Sequence, residues 1–290
     1  MKNKLIVIFF ALIAAVSCVI GLTACVQPEG GSDGSLTYEP NPDGKGYTVA
    51  GVETEGATVA IPSEFNGLPV TAIGTHAFWN CSPLESVTIP DSVTAIGDYA
   101  FYGCASLTEI TIPDGVTSLS AALFSGCSKL TNVTVPDGVT EIGKETFYNC
   151  SSLASVTIPQ GVTKIGESAF YGCTSLTEIT LPASVTAIEN KTFSGCTALA
   201  GITLGGVTSI ENYAFENCTS LASITLTAGV TKIGNSAFSK CNALTNINFE
   251  GTTDGWNAIA KDKFWNINLN NYTVYCTDGQ IAKDGTVTKN

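Results

Sequence analysis

The sequence predicts a solenoid, in which short strands and turns repeat along one axis in units of 23 residues. Cysteines recur every 23 residues, with one interval of 22, and each has a phenylalanine three residues before it and a leucine three residues after it. The cysteines are Cys81, Cys104, Cys127, Cys150, Cys173, Cys196, Cys218 and Cys241. A repeat of this length indicates units that bury their apolar side chains only by stacking on one another.

The unit around Cys104 shows how the repeat is built. Ile110 and Ile112 are separated by one polar residue, which predicts a short strand with one buried face. A Pro-Asp-Gly turn follows, and a second extended piece begins after it. Phe101 and Cys104 are three residues apart, as on one short helical turn that faces inward. With Leu107, these four residues form the predicted structural core of each unit.

Written out, the unit is Leu-x-x-Ile-x-Ile-Pro-x-x-Val-x-x-Ile-Gly-x-x-Ala-Phe-x-x-Cys. It resembles the BspA-type leucine-rich repeat of bacterial surface proteins over about residues 47–276. The resemblance implies a leucine-rich-repeat solenoid, a right-handed coil of 23-residue units with short parallel strands and one short helical turn per unit. Members of this family have been implicated in adhesion to host or matrix proteins and to other cells, so the resemblance also implies a binding role.

The first residues predict export and anchoring. Lys2 and Lys4 precede an apolar run that is typical of a secretory signal and short for a permanent membrane span. The run leads into Leu-Thr-Ala-Cys25, which resembles the lipobox of bacterial lipoproteins. We therefore expect a lipoprotein signal peptide over residues 1–24 and a lipidated Cys25 with a flexible tether over 25–35. An ordinary signal peptide with a chance cysteine is the alternative. Either interpretation places the chain outside the cytoplasm, and the lipid would anchor it to the bacterial cell membrane or cell surface.

Three segments follow the tether. Residues 36–73 predict an N-terminal cap and the first coils, residues 74–249 an eight-unit solenoid, and residues 250–290 a C-terminal cap and tail. In the C-terminal segment we expect Trp256 and Trp265 to pack inward over the last coil. One unit is a residue short and lacks the proline near Gly205, which predicts a local irregularity there.

Composition excludes one class of partner. The chain contains 25 acidic and 13 basic residues, a formal net charge of −12, and no arginine. Nucleic-acid binding normally requires a basic surface and arginine forks, so we expect no nucleic-acid partner. Contact with the membrane is expected through the lipid anchor only, and the chain is expected to be monomeric.

No pattern in the sequence predicts an enzyme, a cofactor or a metal. His76 is the only histidine, so a Ser-His-Asp or Cys-His catalytic arrangement would depend on this residue. It lies in a column of mixed residue types that we expect to face solvent. The cysteine column is expected to consist of buried structural thiols, because ladder neighbours point in parallel directions and suit disulfides poorly. Calcium bound by a short aspartate column at the turns (Asp91, Asp114 and Asp137) is a weaker alternative to ordinary turn residues.

A polar strand face is the predicted binding surface. Two threonine columns, which begin at Thr88 and Thr94, alternate with apolar positions and are expected to point outward. Beside the first of them lies a row of small or acidic side chains, which we propose as the binding face: Glu109, Asn132, Ser155, Glu178, Ser223 and Asn246. The leading hypothesis is a lipid-anchored adhesion protein that recognises a protein partner. The alternatives are a structural spacer of the cell envelope and a glycan-binding protein that uses Trp256 or Trp265 if either ring is exposed.

Overall fold

A computed structural model describes residues 36–53 and 57–290, and these residues form a parallel β-solenoid. Corresponding residues of successive coils pair in register, Ile110 with Val133 and Ile142 with Ile165, so the 23-residue spacing of the sequence is the length of one coil. The solenoid prediction is confirmed. The predicted signal peptide, Cys25 and the tether lie outside the described residues.

The first row of strands carries the side that we call the strand face. The N-terminal segment contributes β1 (Leu36–Pro40), β2 (Tyr47–Val52), β3 (Thr58–Ala60), β4 (Glu64–Phe65) and β5 (Leu68–Ile73). From the repeats, the strand face takes β6 (Ser86–Thr88), β8 (Glu109–Thr111), β10 (Asn132–Thr134), β13 (Glu178–Leu181), β15 (Gly201–Leu204), β17 (Ser223–Leu226) and β19 (Asn246–Phe249). Strands β3, β6, β8 and β10 form one parallel ladder, β13 and β15 a second, and β17 and β19 belong to a third.

A second row of two-residue strands forms the side that we call the lysine face. Its strands are β7 (Ala95–Ile96), β9 (Ser118–Leu119), β11 (Glu141–Ile142), β12 (Lys164–Ile165), β14 (Ala187–Ile188), β16 (Ser209–Ile210), β18 (Lys232–Ile233) and β20 (Ala260–Lys261). The apolar residue of each repeat strand in this row is buried, as Ile142 and Ile210 show. Both threonine columns lie outside, because every member that the sequence placed in them is exposed.

The segment between the lysine face and each cysteine, which we call the turn edge, consists of hydrogen-bonded turns rather than the predicted helical turn. In one coil the main-chain nitrogens donate alternately to oxygens of their own coil and of the next coil. The nitrogen of Tyr102 donates to the oxygen of Tyr99 within the coil at 3.1 Å, whereas the nitrogen of Phe101 donates to the oxygen of Leu123 in the next coil at 3.0 Å. This alternation replaces the uniform i to i−4 bonding of a helix. It is accompanied by left-handed backbone at Tyr99 (φ 57°) and Gly103 (φ 70°).

The column that contains His76 has this left-handed conformation in all eight coils, with φ between 50° and 63°. Six of its members reach solvent as expected, but Ala122 and Ser168 are buried. Exposure alone therefore does not explain why the column contains such different residue types; what its members share is the left-handed backbone. For residues other than glycine this conformation is unfavourable, and the bonds between coils hold it in place.

A ladder of phenylalanine rings forms the centre of the core. The rings of Phe78 to Phe238 stack coil on coil with centroids 4.9 to 5.8 Å apart and interplanar angles of 4° to 17°. The predicted structural residues Phe101, Cys104, Leu107, Ile110 and Ile112 are all buried, with at most 4% exposure. Offset stacking of this kind adds to the free energy that burial of the rings already provides.

The two ends close the solenoid differently. At the N-terminus β1 pairs antiparallel with β2, and β2 and β3 then join the parallel ladders of β5 and β6. At the C-terminus stand α1 (Thr253–Ala258), β21 (Thr273–Cys276), β22 (Gly279–Ala282) and β23 (Val287–Lys289). β21 continues the strand-face ladder from β19, and the last two strands fold back antiparallel.

The predicted irregularity near Gly205 is present. The shortened turn lies against the preceding coil so closely that a Cβ added at Gly206 would stand 1.9 Å from the main-chain oxygen of Ala183. Ile202, in the strand that leads to this turn, is only half-buried, whereas Ile179 in the coil before it is 4% exposed. The glycine pair allows a coil that lacks one residue to keep its register with β13.

Candidate binding face

The six residues of the predicted binding row all lie on the strand face, and all are exposed. Glu109 stands opposite Asn132 in the β8 and β10 pair, and Ser223 stands opposite Asn246 in the β17 and β19 pair. They are directed outward because side chains alternate along a strand, and their neighbours Ile110 and Ile224 are buried.

The strand face opens in the middle of this row. The coil that contains Ser155 has no strand there, and residues 155–158 form no main-chain hydrogen bond to either neighbouring coil in the described structure. The flanking bonds are long: Ala154 N donates to Thr131 O at 3.4 Å, and Thr177 N donates to Ala154 O at 3.3 Å. The main-chain donors and acceptors of these four residues are thus left for water or a ligand.

A cleft of about 310 Å³ marks the opening. On one side it is lined by residues 155–158 and Gln160, and on the other by Glu178, Ile179 and Thr180. The cleft offers hydroxyl groups, an amide, one carboxylate and unpaired main-chain groups above a floor of buried Val156 and Ile158. This combination suits a ligand that both donates and accepts hydrogen bonds.

Charge is distributed unequally over the two faces. On the lysine face Lys164 contacts Glu141 at 2.7 Å and Lys232 contacts Glu211 at 2.6 Å, and these hydrogen bonds raise the pKa of both lysines. On the strand face, by contrast, neither Glu109 nor Glu178 forms an ion pair with any described residue. The strand face is therefore small, polar and weakly acidic, with carboxylates that are free to meet a partner.

The repeat of this chain matches that of one known family. The family model for the BspA-type leucine-rich-repeat region matches in six copies over residues 71–200 and 163–284. The chain belongs to the BspA-type leucine-rich-repeat family. None of the curated proteins matches the sequence.

Two solved structures support the same fold for this BspA-type protein. A leucine-rich-repeat protein of T. pallidum is 29% identical, with a TM-score of 0.61 over 74% of this chain and 91% of its own. A leucine-rich-repeat protein from Bacteroides ovatus is 29% identical, with a TM-score of 0.70 over 83% of this chain and 70% of its own. The family match begins at residue 71, later than the resemblance seen in the sequence.

The cysteine column of this BspA-type protein does more than fill space. From Cys104 to Cys241, each thiol donates to the main-chain oxygen of the phenylalanine in the preceding coil, at 2.9 to 3.1 Å. Burial raises the pKa of the Cys150, Cys173 and Cys196 thiols, that of Cys196 to about 12. They are free cysteines, as the sequence predicted. The hydrogen bond was missed because a main-chain acceptor in another coil leaves no trace in the sequence.

The glycan alternative through the two tryptophans is contradicted by their burial. Trp256 is 4% and Trp265 is 8% exposed, and the rings pack edge-on against each other at 5.8 Å. Trp265 also lies edge-on over Phe238, the last ring of the phenylalanine ladder, at 6.2 Å. The prediction that both tryptophans close the last coil is confirmed, and neither presents a face to a sugar.

The remaining candidate residues are the histidine and the three aspartates at the turns. His76 is exposed and its ring stacks on Tyr99 at 5.1 Å, and among the described residues no acid or nucleophile is hydrogen-bonded to its imidazole. Asp91, Asp114 and Asp137 are exposed, and the described residues contain no group of three or more metal-ligating side chains. Within that same part of the chain, helices of membrane-crossing length and hydropathy are absent.

Proposed function

We propose that this protein is a non-catalytic, lipid-anchored binding module of the bacterial cell surface that recognises a protein partner through its strand face. The observation that carries the proposal is the cleft between Ser155 and Glu178, where main-chain groups remain unpaired in the centre of an exposed sheet. A solenoid presents such a face as one extended surface, which suits a partner that lies along several coils.

The chemistry of the cleft favours a polypeptide over other partners. Extended peptide carries alternating main-chain donors and acceptors that match those left free over residues 155–158. The free carboxylates of Glu109 and Glu178 favour a partner with basic side chains on the same segment. In the described residues the binding row contains no aromatic side chain, so we expect modest affinity that depends on several coils.

A binding experiment with matched charge changes tests this function. Residues 26–290 are immobilised and exposed to extracellular-matrix, mucosal and neighbouring-cell proteins. The double variant Ser155→Lys/Glu178→Lys alters the cleft, and Ser118→Lys/Glu189→Lys makes the same charge change on the lysine face. A partner retained by the lysine-face variant and lost by the cleft variant supports the proposal. Equal binding by both variants contradicts it.

The structural-spacer alternative predicts a different result. A spacer needs the length and the anchor of the solenoid but no particular surface chemistry. It is favoured if the folded protein captures no partner and the cleft variant leaves the envelope phenotype of the cell unchanged.

The anchor is tested separately from the binding face. Replacement of Cys25 with alanine is expected to abolish incorporation of a labelled fatty acid and to release the protein from the membrane fraction. A chain that stays in that fraction without Cys25 contradicts lipid anchoring through this residue.

A further inference from the structure

Four aromatic side chains form a connected cluster on the turn edge of the first two repeat coils, and we call it the aromatic quartet. It consists of His76 and Trp79 in one coil and Tyr99 and Tyr102 in the next. His76 stacks on Tyr99 with ring centroids 5.1 Å apart and 12° between the planes, and Tyr99 lies 6.0 Å from Tyr102. Trp79 contacts His76 at 5.7 Å and Tyr102 at 6.4 Å, so each ring touches two others.

The quartet reaches solvent. Tyr99 is 36% exposed, His76 is exposed, and Trp79 and Tyr102 are half-buried, whereas the phenylalanines of the same two coils are fully buried. Tryptophan and tyrosine are among the residues that contribute most to the affinity of protein interfaces. The quartet therefore offers the aromatic contacts that the binding row of the strand face lacks.

The part of the chain that contains the quartet is acidic and has no lysine or arginine of its own. Between Lys45 and Lys129 the sequence contains eight carboxylates and no lysine or arginine. The ion pairs of the described residues all lie beyond residue 140, so none of them neutralises a carboxylate near the quartet. Charge complementarity therefore favours a basic partner for these coils. The eight carboxylates belong to Glu53, Glu55, Glu64, Glu85, Asp91, Asp98, Glu109 and Asp114.

One of these carboxylates stands beside the quartet. Asp98 directly precedes Tyr99 and is exposed, and its main-chain oxygen accepts a hydrogen bond from the nitrogen of His76 at 3.1 Å. Its Oδ1 accepts a hydrogen bond from the main-chain nitrogen of Ala121 at 2.9 Å, and its Oδ2 has no hydrogen-bond partner among the described residues. A carboxylate held next to exposed rings can pair with a cation that contacts those rings.

A later coil shows that the turn edge can bring a cation and a tyrosine ring together. Tyr213 occupies the same left-handed column as Tyr99, and Lys191 of the preceding coil lies over its ring, 5.7 Å from the centroid. At Tyr99 the corresponding residue of the preceding coil is His76. The cation–π contacts of the described residues all lie beyond residue 190, so the quartet has no resident lysine and is left to a cation from a partner.

We infer that the aromatic quartet is a docking site for a polypeptide segment that carries arginine side chains. The guanidinium group suits the site better than the ammonium group of lysine, because it is planar, stacks on aromatic rings and can bind a carboxylate such as that of Asp98 with two donors. The site lies on the turn edge and goes beyond the proposed function, because it does not require the cleft between Ser155 and Glu178.

The test uses residues 26–290 and a fluorescein-labelled, amidated peptide in which three arginines alternate with glycines. A second peptide contains citrulline in place of arginine, which keeps the shape of the side chain and removes its charge. A third contains lysine. Fluorescence anisotropy is expected to show saturable binding of the arginine peptide, about tenfold tighter than that of the citrulline peptide, with the lysine peptide in between.

Variants with matched changes locate the peptide on the surface. Trp79→Leu/Tyr99→Leu keeps apolar side chains but removes two rings of the quartet, and it is expected to weaken binding of the arginine peptide about tenfold. Tyr171→Leu/Tyr213→Leu makes the same change on the turn edge of later coils and is expected to leave the affinity unchanged. Asp98→Asn is expected to weaken binding about threefold. Circular dichroism checks that each variant folds.

Other outcomes overturn the inference. Absence of saturable binding rejects the site, and so does equal binding of the arginine peptide and either of the other two. An equal effect of the two double variants assigns the peptide to the acidic surface in general. Binding that Trp79→Leu/Tyr99→Leu keeps and Ser155→Lys/Glu178→Lys loses places the arginines in the cleft, which supports the proposed function and rejects the quartet.

Discussion

The thiol of Cys127 donates a hydrogen bond to the main-chain oxygen of Phe101, 26 residues earlier in the chain, at a distance of 3.1 Å. The same bond recurs from coil to coil, so each of these thiols gives a carbonyl group in the coil before it a second hydrogen bond, beside the one that the carbonyl accepts from a main-chain nitrogen of its own coil. Cysteine is apolar enough for the core and still a weak donor, and this combination suits the position.

Replacement of one of these cysteines should therefore lower the free energy of unfolding even when the new side chain fills the same volume. Cys150→Val fills the space but removes one of the two hydrogen bonds to the oxygen of Phe124, which keeps its bond from the main-chain nitrogen of Cys127, and we expect a loss of about 1 kcal/mol in the free energy of unfolding. Thr174→Val is the control, because it removes a hydroxyl bond between coils that is exposed to solvent. A shift in urea midpoint no larger for Cys150→Val than for Thr174→Val contradicts the role given to the thiol.

Thiol reactivity should report how intact the solenoid is. Eight of the nine cysteines after residue 25 are buried, and Cys276 alone is half-buried. Burial raises the pKa of Cys276 as well as that of Cys196, but only Cys276 is accessible to a reagent, so we expect labelling of Cys276 only in the native protein. All nine should label in denaturant. Several equivalents of fast labelling by a thiol reagent in native buffer would show that the coils open readily.

The core of the repeat could be predicted from the sequence because its apolar pattern is complete within each repeat unit. Columns such as Phe101 and Leu107 are apolar in every unit, and the spacing alone places them on one axis. The outward threonines followed from the alternation along a strand. The left-handed residue at Tyr99 could not be predicted, since the column holds histidine, glutamate and lysine as well as small residues.

The functional surface was predicted only in part. Alternation placed Ser155 and Glu178 outside, but the gap in the ladder between them depends on main-chain distances that no residue type encodes.

The shortened coil provides a sharp test of packing between coils. Gly206→Ala would place a methyl group 1.9 Å from the oxygen of Ala183, and we expect a loss of about 3 kcal/mol or local unfolding of that coil. Gly161→Ala is the matched control, because its nearest atom lies at 3.4 Å, and we expect a change within about 0.5 kcal/mol. Thermal unfolding measures both variants, and equal melting temperatures would show that the turn can move away from Ala183.

Acid is expected to destabilise the C-terminal cap by protonating Asp278. Its carboxylate accepts hydrogen bonds from Lys289 and from the main-chain nitrogen of Thr253, and these bonds lower its pKa from 3.8 to about 2. Because the folded pKa lies below the unfolded value, the unfolded cap binds the proton first. The stabilisation is therefore complete above about pH 4 and is lost as the pH falls toward 2.

Tryptophan fluorescence can follow this loss, since Trp256 and Trp265 both lie in the cap. We expect Asp278→Asn to lower the urea midpoint of the cap at pH 6 and to flatten its dependence on pH between 4 and 2. Asp91→Asn, on a turn far from the cap, should keep the dependence of the unaltered protein. If the Asp278→Asn cap weakens with acid as steeply as the original, the pH dependence originates elsewhere, and the bonds from Lys289 and Thr253 do not control the closure of the last coil.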